Sequence, residues 1–327
     1  LKTKYLNFEL PNPFIAGASP LSDTLDSCRR LEDYGAAAIV LRSLLEEQIT
    51  MEGLATHRSM DFAPATAEAA TYMPEPDDFV LGPEEYLEHI TKLKAALQIP
   101  VIASLNGSTP GGWLEYARKI EQAGADALEL HVYQVPTNPE ATGHEIERRT
   151  VEMVRVVKSS VKIPVAVKLS PFYTNVGNVA LELDSVGADG LVLFNRFYQP
   201  DIDVEKLEVI SKLRLSDSSE LALRLRWLAM ICDRVTASLA VTGGVHDAVD
   251  AVKAVMCGAH AIQMVSALLL HGHQYIRMIR QDLEEWLEAN EYESLAQMRG
   301  SMSLQRCPDP KAYVRGNYIH VLQVWQG

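Results

Sequence analysis

The segment LDSVGADGLVLFN (residues 183–195) shows the pattern that decides the fold. A helical stretch ends at Gly187-Ala188, and the apolar run GLVLF follows from Gly190. A glycine at this place can adopt the left-handed conformation that ends a helix before a short loop into a strand. The glycine-alanine pair recurs between a helical pattern and a strand at Gly35-Ala36, Gly124-Ala125 and Gly258-Ala259.

Eight short apolar runs alternate with the helical patterns. Near-continuous runs of Val, Ile, Leu and Ala are typical of parallel strands that are buried on both faces. Eight such strands with intervening helices predict a closed (β/α)8 TIM barrel, an α/β fold. The runs are PFIAG from Pro13, AAIVL from Ala37, PVIASL from Pro100, ALELH from Ala127, IPVAVKL from Ile163, GLVLF from Gly190, ASLAVTG from Ala237 and AIQMV from Ala261.

Length and composition are consistent with one large folded unit. Of the 327 residues, 47% are hydrophobic, which is enough for a large core. Length alone would suggest two domains, but α/β barrels often reach this size as one. We therefore predict a single domain over residues 1–327, with residues 274–327 as a C-terminal helical extension. Residues 44–85 and 195–219 exceed ordinary loop length, and such loops often carry function.

Charge and cysteine usage exclude several classes of protein. The net charge of −13, without a dense basic run, argues against binding to nucleic acid or to an anionic membrane. Four widely spaced cysteines and the lack of an apolar N-terminal signal predict reduced thiols in the cytoplasm. HExxH, GxSxG and zinc-type Cys and His clusters are absent, and GxGxxG does not follow the first strand. We therefore expect no metal site, serine hydrolase or Rossmann dehydrogenase.

Lys168 closes the fifth predicted strand, within VAVKLSP. A buried ammonium needs an anionic or electrophilic partner, because burial without one costs several kcal/mol. In a barrel the carboxyl ends of the strands carry the chemistry, so we interpret Lys168 as a ligand-binding residue. The alternative is a structural ion pair with a carboxylate such as Glu129.

The seventh and eighth predicted strands end in VTGGV and AIQMVSALL. Adjacent glycines let backbone N–H groups approach a phosphate closely, and in barrels these two loops commonly bind one. Gly243, Gly244 and Ser266 therefore predict a phosphate-bearing ligand. The alternative for the two glycines is a simple tight turn.

Polar residues also follow strands four and six. Asn195 can both donate and accept hydrogen bonds to an amide or imide ligand, while Arg196 could bind a carboxylate or stabilise its own loop. The loop after the fourth strand offers His131, Tyr133 and Gln134 as further candidates.

Seven motifs, taken in their order along the chain, resemble those of the dihydroorotate dehydrogenase family. Together they cover nearly the whole chain. They resemble especially a bacterial branch described as dihydroorotate dehydrogenase-like, which shares the GGW near Trp113 and the NRFYQPDID segment. The motifs are NPFIAGA from Asn12, LRS from Leu41, ALELH from Ala127, VKLSPF from Val167, VLFN from Val192, TGGV from Thr242 and GAHAIQMVSALL from Gly258.

The resemblance implies an FMN-binding barrel that oxidises a dihydropyrimidine such as dihydroorotate. It implies that Lys168 lies at the pyrimidine edge of the flavin and that Asn195 holds the substrate. The cofactor contacts that it implies are Ala16, Gly17 and Ala18 along the ring, then Arg42, Ser43, Asn106 and His131, with Gly243, Gly244 and Ser266 at the phosphate.

The chain departs from the family's residues at three positions. Arg42 replaces a lysine, and His131 replaces an asparagine. Where the family has a Cys or Ser that removes the substrate proton, an ungapped comparison places Gln134, which cannot act as a base. The possible substitutes in the same loop are Tyr133, Thr137, Thr142 and His144.

Two other functions remain open at this stage. Lys168 beside a phosphate site would also suit a Schiff-base aldolase, and Gln134 would suit a flavin-binding relative with lost or changed catalysis. The resemblance further implies a homodimer with a small-molecule substrate. The sequence identifies no redox partner.

Overall fold

The computed structural model describes residues 1–45, 48, 82–106, 110–132, 135–210, 212–314 and 316–324. Eight strands of these residues form the barrel, and four further strands of three residues each form two hairpins. The barrel strands are β3 (Phe14–Ala16), β4 (Ala38–Leu45), β5 (Val101–Asn106), β6 (Ala127–His131), β7 (Val165–Leu169), β8 (Gly190–Leu193), β11 (Ser238–Thr242) and β12 (Ala261–Met264). The hairpins are β1 (Thr3–Tyr5) with β2 (Phe8–Leu10), and β9 (Asp201–Asp203) with β10 (Glu208–Ile210).

The barrel is closed and its strands are parallel, in the order β11-β12-β3-β4-β5-β6-β7-β8. Each of the eight predicted apolar runs overlaps one barrel strand, so the predicted (β/α)8 barrel is confirmed. The assignment of residues 1–327 to one domain, with 274–327 as its extension, stays a prediction. The long segment 44–85 lies largely outside the described residues.

The described helices follow the strands around the barrel and continue beyond the last strand. No described helix has both the length and the apolar character needed to cross a bilayer. The helices are α1 (Leu25–Asp33), α2 (Pro83–Ala96), α3 (Pro110–Gln122), α4 (Gly143–Ser160), α5 (Val176–Ser185), α6 (Leu221–Ile231), α7 (Ala248–Met256), α8 (Ser266–His271), α9 (Tyr275–Ala289), α10 (Leu295–Met298) and α11 (Gly316–Val324).

The four repeated glycines end helices in the predicted conformation. Their φ angles are +95° at Gly35, +97° at Gly124, +93° at Gly187 and +116° at Gly258. At Gly258 a Cβ atom would also lie 2.3 Å from the Cβ of Cys232. The repeat therefore reflects a backbone requirement at the ends of these helices.

The interior of the barrel is filled by small and branched side chains and is capped at one end by the first hairpin. Tyr5 and Leu6 of this hairpin are buried against the interior cluster, and the Leu6 amide donates to Ser238 Oγ at 3.1 Å. A Cβ atom on Gly190 would lie 2.6 Å from Leu6 Cδ2. With its amino-terminal end filled in this way, the barrel has its free space at the carboxyl ends of the strands.

Gly258→Ala should destabilise the protein by about 1–3 kcal/mol, because a side chain at φ +116° is strained and would collide with Cys232. Gly143→Ala is the matched control, since a Cβ atom there meets nothing within 4 Å. Urea unfolding should show a lower midpoint for Gly258→Ala only. Equal stability of the two variants would contradict the proposed strain.

Candidate active site

A cavity of about 390 Å³ opens at the carboxyl ends of the barrel strands. Residues that are far apart in the sequence meet on its walls because parallel strands bring their carboxyl ends to one face. Of the residues predicted from the sequence, it is lined by Ala18, Arg42, Ser43, His131, Lys168, Asn195, Gly243 and Ser266.

Lys168 projects from β7 toward Glu129 on the adjacent strand β6. Its Nζ atom lies 3.0 Å from Glu129 Oε1, and the two residues are 9% and 1% exposed. Gln263 of β12 donates to the second carboxylate oxygen of Glu129. The ion pair weighed as the alternative role of Lys168 is therefore present, yet Lys168 also lines the cavity. The pair and a ligand contact are compatible.

The pair on β6 and β7 fixes a charged group at the wall of an otherwise apolar barrel. Two buried charges are tolerated when each is paired and hydrogen-bonded, and removal of one leaves the other uncompensated. Gln263 matters here because it satisfies the carboxylate oxygen that Lys168 does not bind. No local sequence signal points to Gln263, which lies 134 positions from Glu129.

Ser43, Ser104 and His131 form a polar group beside Lys168. An irregularity in the pairing of β4 with β5, between Val40 and Ser43, accompanies the inward position of Ser43. Ser43 Oγ lies 2.7 Å from Ser104 Oγ and 3.1 Å from His131 Nδ1. Burial, followed by the charge of Lys168, lowers the pKa of His131 to about 3. His131 is therefore neutral near neutral pH.

The turn after β11 contains two glycines in left-handed conformation, Gly243 with φ +81° and Gly244 with φ +86°. A Cβ atom on Gly243 would lie 2.9 Å from Arg224 Nη2, and one on Gly244 would lie 2.5 Å from the backbone nitrogen of Leu221. Only glycine meets both requirements, so the turn presents bare backbone beside the cavity.

Two serines tie this turn to the neighbouring loops. The amide of Gly244 lies 3.4 Å from Ser216 Oγ, and the amide of Ser216 donates to Ser266 Oγ at 3.0 Å. Both serines line the cavity. Ser216 belongs to the long segment 195–219 that the sequence marked as functional, although the residue itself was not singled out.

Arg224 is a buried cation on α6 that the sequence analysis missed. Its Nε donates to the Thr242 carbonyl at 2.9 Å. The carboxylate of Glu220 is shared by two arginines. Its Oε2 atom lies 3.6 Å from Arg224 Nη2, and its Oε1 atom lies 3.1 Å from Arg196 Nη2. Two guanidinium groups that face one carboxylate leave excess positive charge on this side of the cavity. The one sequence signal was an arginine within the apolar run LALRLRWLAMI. Arg196 adopts the loop-stabilising pairing while it also lines the cavity.

Asn195 is 1% exposed, and the two polar atoms of its side-chain amide have different surroundings. Nδ2 donates to the carbonyls of Val132, at 2.8 Å, and Lys168, at 3.1 Å. Oδ1 is buried and has no hydrogen-bond partner among the described residues. An unpaired buried acceptor is costly, so Asn195 is suited to a ligand that donates an N–H group.

The other predicted residues that the structure describes lie at the edge of the cavity or are absent from its lining. Arg42 Nε lies 3.2 Å from Asp23 Oδ1, and its side chain is 40% exposed. Asn106 contacts His131, with 3.3 Å between Nδ2 and Nδ1. Tyr133 and Gln134 fall outside the described residues. The described residues that line the cavity do not include Ala16, Gly17, Asn106 or Gly244.

The motif order, the barrel and the site can be compared with known proteins. A family model described as dihydroorotate dehydrogenase matches residues 1–287. The chain belongs to the dihydroorotate dehydrogenase family. Members of this family are flavin-dependent oxidoreductases. The lysine and the glycine turn at one cavity are consistent with this membership.

Individual relatives match most of the chain. The catalytic subunit of dihydroorotate dehydrogenase B (NAD(+)) from Thermoplasma volcanium is 26% identical over 309 residues, covering 92% of this chain and 97% of the relative. The corresponding subunit from Methanothermobacter thermautotrophicus is 27% identical over 313 residues, with coverage of 92% and 97%. A putative dihydroorotate dehydrogenase A (fumarate) from Aeropyrum pernix is 31% identical over 212 residues, with coverage of 62% and 67%.

Glu129→Gln and Lys168→Met should each lower the free energy of unfolding by about 3–5 kcal/mol, because each leaves one buried charge without its partner. The double variant should lose clearly less than the sum of the two single losses. Urea unfolding of the four proteins measures this coupling.

The control is Lys92→Met, which removes an exposed pair with Glu88 on α2. Its effect should stay below about 0.5 kcal/mol. Additive losses for Glu129→Gln and Lys168→Met would show that the buried pair is not coupled.

Proposed function

We propose that this chain is an FMN-dependent dehydrogenase that passes hydride between the flavin and a dihydropyrimidine-like ring, with dihydroorotate as the reference substrate. The chain is an oxidoreductase of the dihydroorotate dehydrogenase type; FMN and the reacting ring are the proposed details. The observation that carries the proposal is that buried Lys168 and the Gly243-Gly244 turn serve one cavity.

The residues of the cavity fit a flavin mononucleotide. A volume of about 390 Å³ lies within the roughly 300–1,000 Å³ typical of ligand sites. The Gly243-Gly244 turn, the hydroxyl groups of Ser216 and Ser266, and the cation of Arg224 would hold the phosphate. Lys168 would contact the ring, together with Ala18 and Ser43. The predicted roles of Ala16, Gly17, Asn106 and Gly244 stay predictions.

FMN supplies the hydride-accepting ring, and Lys168 would support its reduced form. A positive group beside the ring favours the negative charge that develops there. Glu129 holds the ammonium of Lys168 in place at 3.0 Å. Its position is thus set by the protein before any ligand binds.

Asn195 supports a substrate with an N–H group. Its two Nδ2 hydrogen bonds to backbone carbonyls leave Oδ1 as the available atom, and Oδ1 only accepts. A dihydropyrimidine ring carries N–H donors beside its carbonyls. Asn195 would therefore orient the ring by accepting one of them.

Transfer of hydride to the flavin also requires a group that accepts a proton from the substrate. His131 has a pKa of about 3, so it takes a carbon-bound proton poorly, and we assign it a hydrogen-bonding role at the cavity. The loop from Val132 to Arg149 contains no Cys or Ser. Tyr133 and Gln134 stay the predicted catalytic residues of this loop.

The Schiff-base aldolase is not favoured by the family. Its chemistry needs a lysine amine that is free to attack a carbonyl group, whereas Lys168 Nζ is paired with the carboxylate of Glu129 at 3.0 Å.

We expect the chain to form a homodimer. Four apolar side chains of the β9–β10 hairpin, each at least 66% exposed, support a homodimer: Ile202, Val204, Leu207 and Val209. Two of the compared relatives are named catalytic subunits, so a second subunit that receives the electrons is also proposed. Four free cysteines agree with a reducing cytoplasm.

Purified protein should bind FMN in a one-to-one complex with flavin absorbance, and dihydroorotate should bleach that absorbance under anaerobic conditions. Riboflavin should bind more weakly than FMN, because it lacks the phosphate that the glycine turn and Arg224 would hold. Colourless protein that takes up no added FMN would refute the cofactor. Failure of dihydroorotate to bleach bound FMN would refute only that substrate.

Asn195→Leu should lower kcat/KM for flavin bleaching by roughly 10- to 100-fold, because the variant loses the acceptor for the substrate N–H. FMN content should remain that of the wild type. Asn290→Leu, beyond the end of α9, is the control and should leave both values unchanged. A fall in FMN content that parallels the loss of rate would show that Asn195 acts on the cofactor instead.

A further inference from the structure

A second cavity of about 360 Å³ lies beside the first, among the loops that follow β6, β7 and β8 and the first turns of α4. Most of its described lining residues are apolar or aromatic. The side chains that matter here are Val135, Ile146, Phe172, Tyr173, Phe197 and Tyr198.

The partition between the two cavities is thin. Tyr198 lines both of them. Val132 lines the second cavity, and its carbonyl accepts the 2.8 Å hydrogen bond from Asn195, which lines the first. A substrate ring held at Asn195 would thus be separated from the second cavity by Val132.

The walls of the second cavity keep apolar surface in contact with solvent. Phe172 is 66% exposed and Tyr198 is 55% exposed. The rings of Phe172 and Phe197 meet edge to face, with centroids 5.0 Å apart. Glu147 is the one charged side chain among the described lining residues. An anionic group would therefore be repelled, whereas an uncharged ring would cover exposed aromatic surface.

We propose that the second cavity receives an uncharged apolar arm of the substrate, whose N–H-bearing ring is held at Asn195. The preferred substrate is then a dihydropyrimidine with an aromatic or aliphatic substituent on a ring carbon. The carboxylate of dihydroorotate leaves this cavity unused. This inference rests on the proposed function, because it places the reacting ring in the first cavity.

Calorimetric titration of the FMN-loaded protein with uracil, 5-benzyluracil and 6-benzyluracil tests the arm directly. At least one benzyl compound should bind about 10- to 100-fold more tightly than uracil, because its ring leaves water. Ile146→Trp, which fills the cavity from α4, should abolish this gain and leave the affinity for uracil unchanged. Leu181→Trp, at an exposed site on α5, is the matched control and should retain the gain.

Absence of a gain for both benzyl isomers, or an equal gain in wild type and Ile146→Trp, would overturn the inference. FMN uptake and anaerobic bleaching by dihydroorotate are measured on the same preparations. If both occur and the benzyl gain is absent, the arm fails and the proposed function stands. If FMN is not taken up, the proposed function fails, and the same titrations of the FMN-free wild type and Ile146→Trp still decide whether the cavity binds the arm.

Discussion

The ion pair between Lys168 and Glu129, with Gln263 bound to the same carboxylate, is the interaction on which the site depends. It joins neighbouring strands β6 and β7 and reaches β12 across the barrel interior. Burial of these charges is tolerable only because each has a partner. Since the partners come from different strands, the ammonium is held correctly only when the barrel is closed, so the fold and the charge at the cavity depend on each other.

The barrel could be predicted from the sequence because its signals are local. Each strand is a short apolar run, and each of the four glycines such as Gly187 marks a helix end where the backbone must turn left-handed. Neither signal requires knowledge of distant residues. The rule that barrel chemistry lies at the carboxyl ends of strands then located Lys168 and Gly243 on one cavity.

The parts that were missed depend on contacts over long distances in the chain. Arg224 is close to Gly243 only because α6 packs against the turn after β11, and its sequence context is that of an ordinary apolar helix. Two hydrogen bonds to backbone carbonyls orient the amide of Asn195, and its Oδ1 atom has no hydrogen-bond partner within the part of the chain that the structure describes. Sequence could name Asn195 as a donor and acceptor, but only the structure shows that the acceptor alone is available.

The two cavities share Tyr198 in the loop after β8, but most of their other walls come from different parts of one scaffold. The glycine turn, Ser266 and Arg224 belong to the elements around β11 and β12. Ile146 belongs to the start of α4, and Phe172 and Phe197 belong to the loops after β7 and β8. Mutations that reshape the second group therefore need not disturb the first. This architecture would let specificity for the reactant evolve through substitutions around the second cavity, while the glycine turn and Arg224 keep their positions.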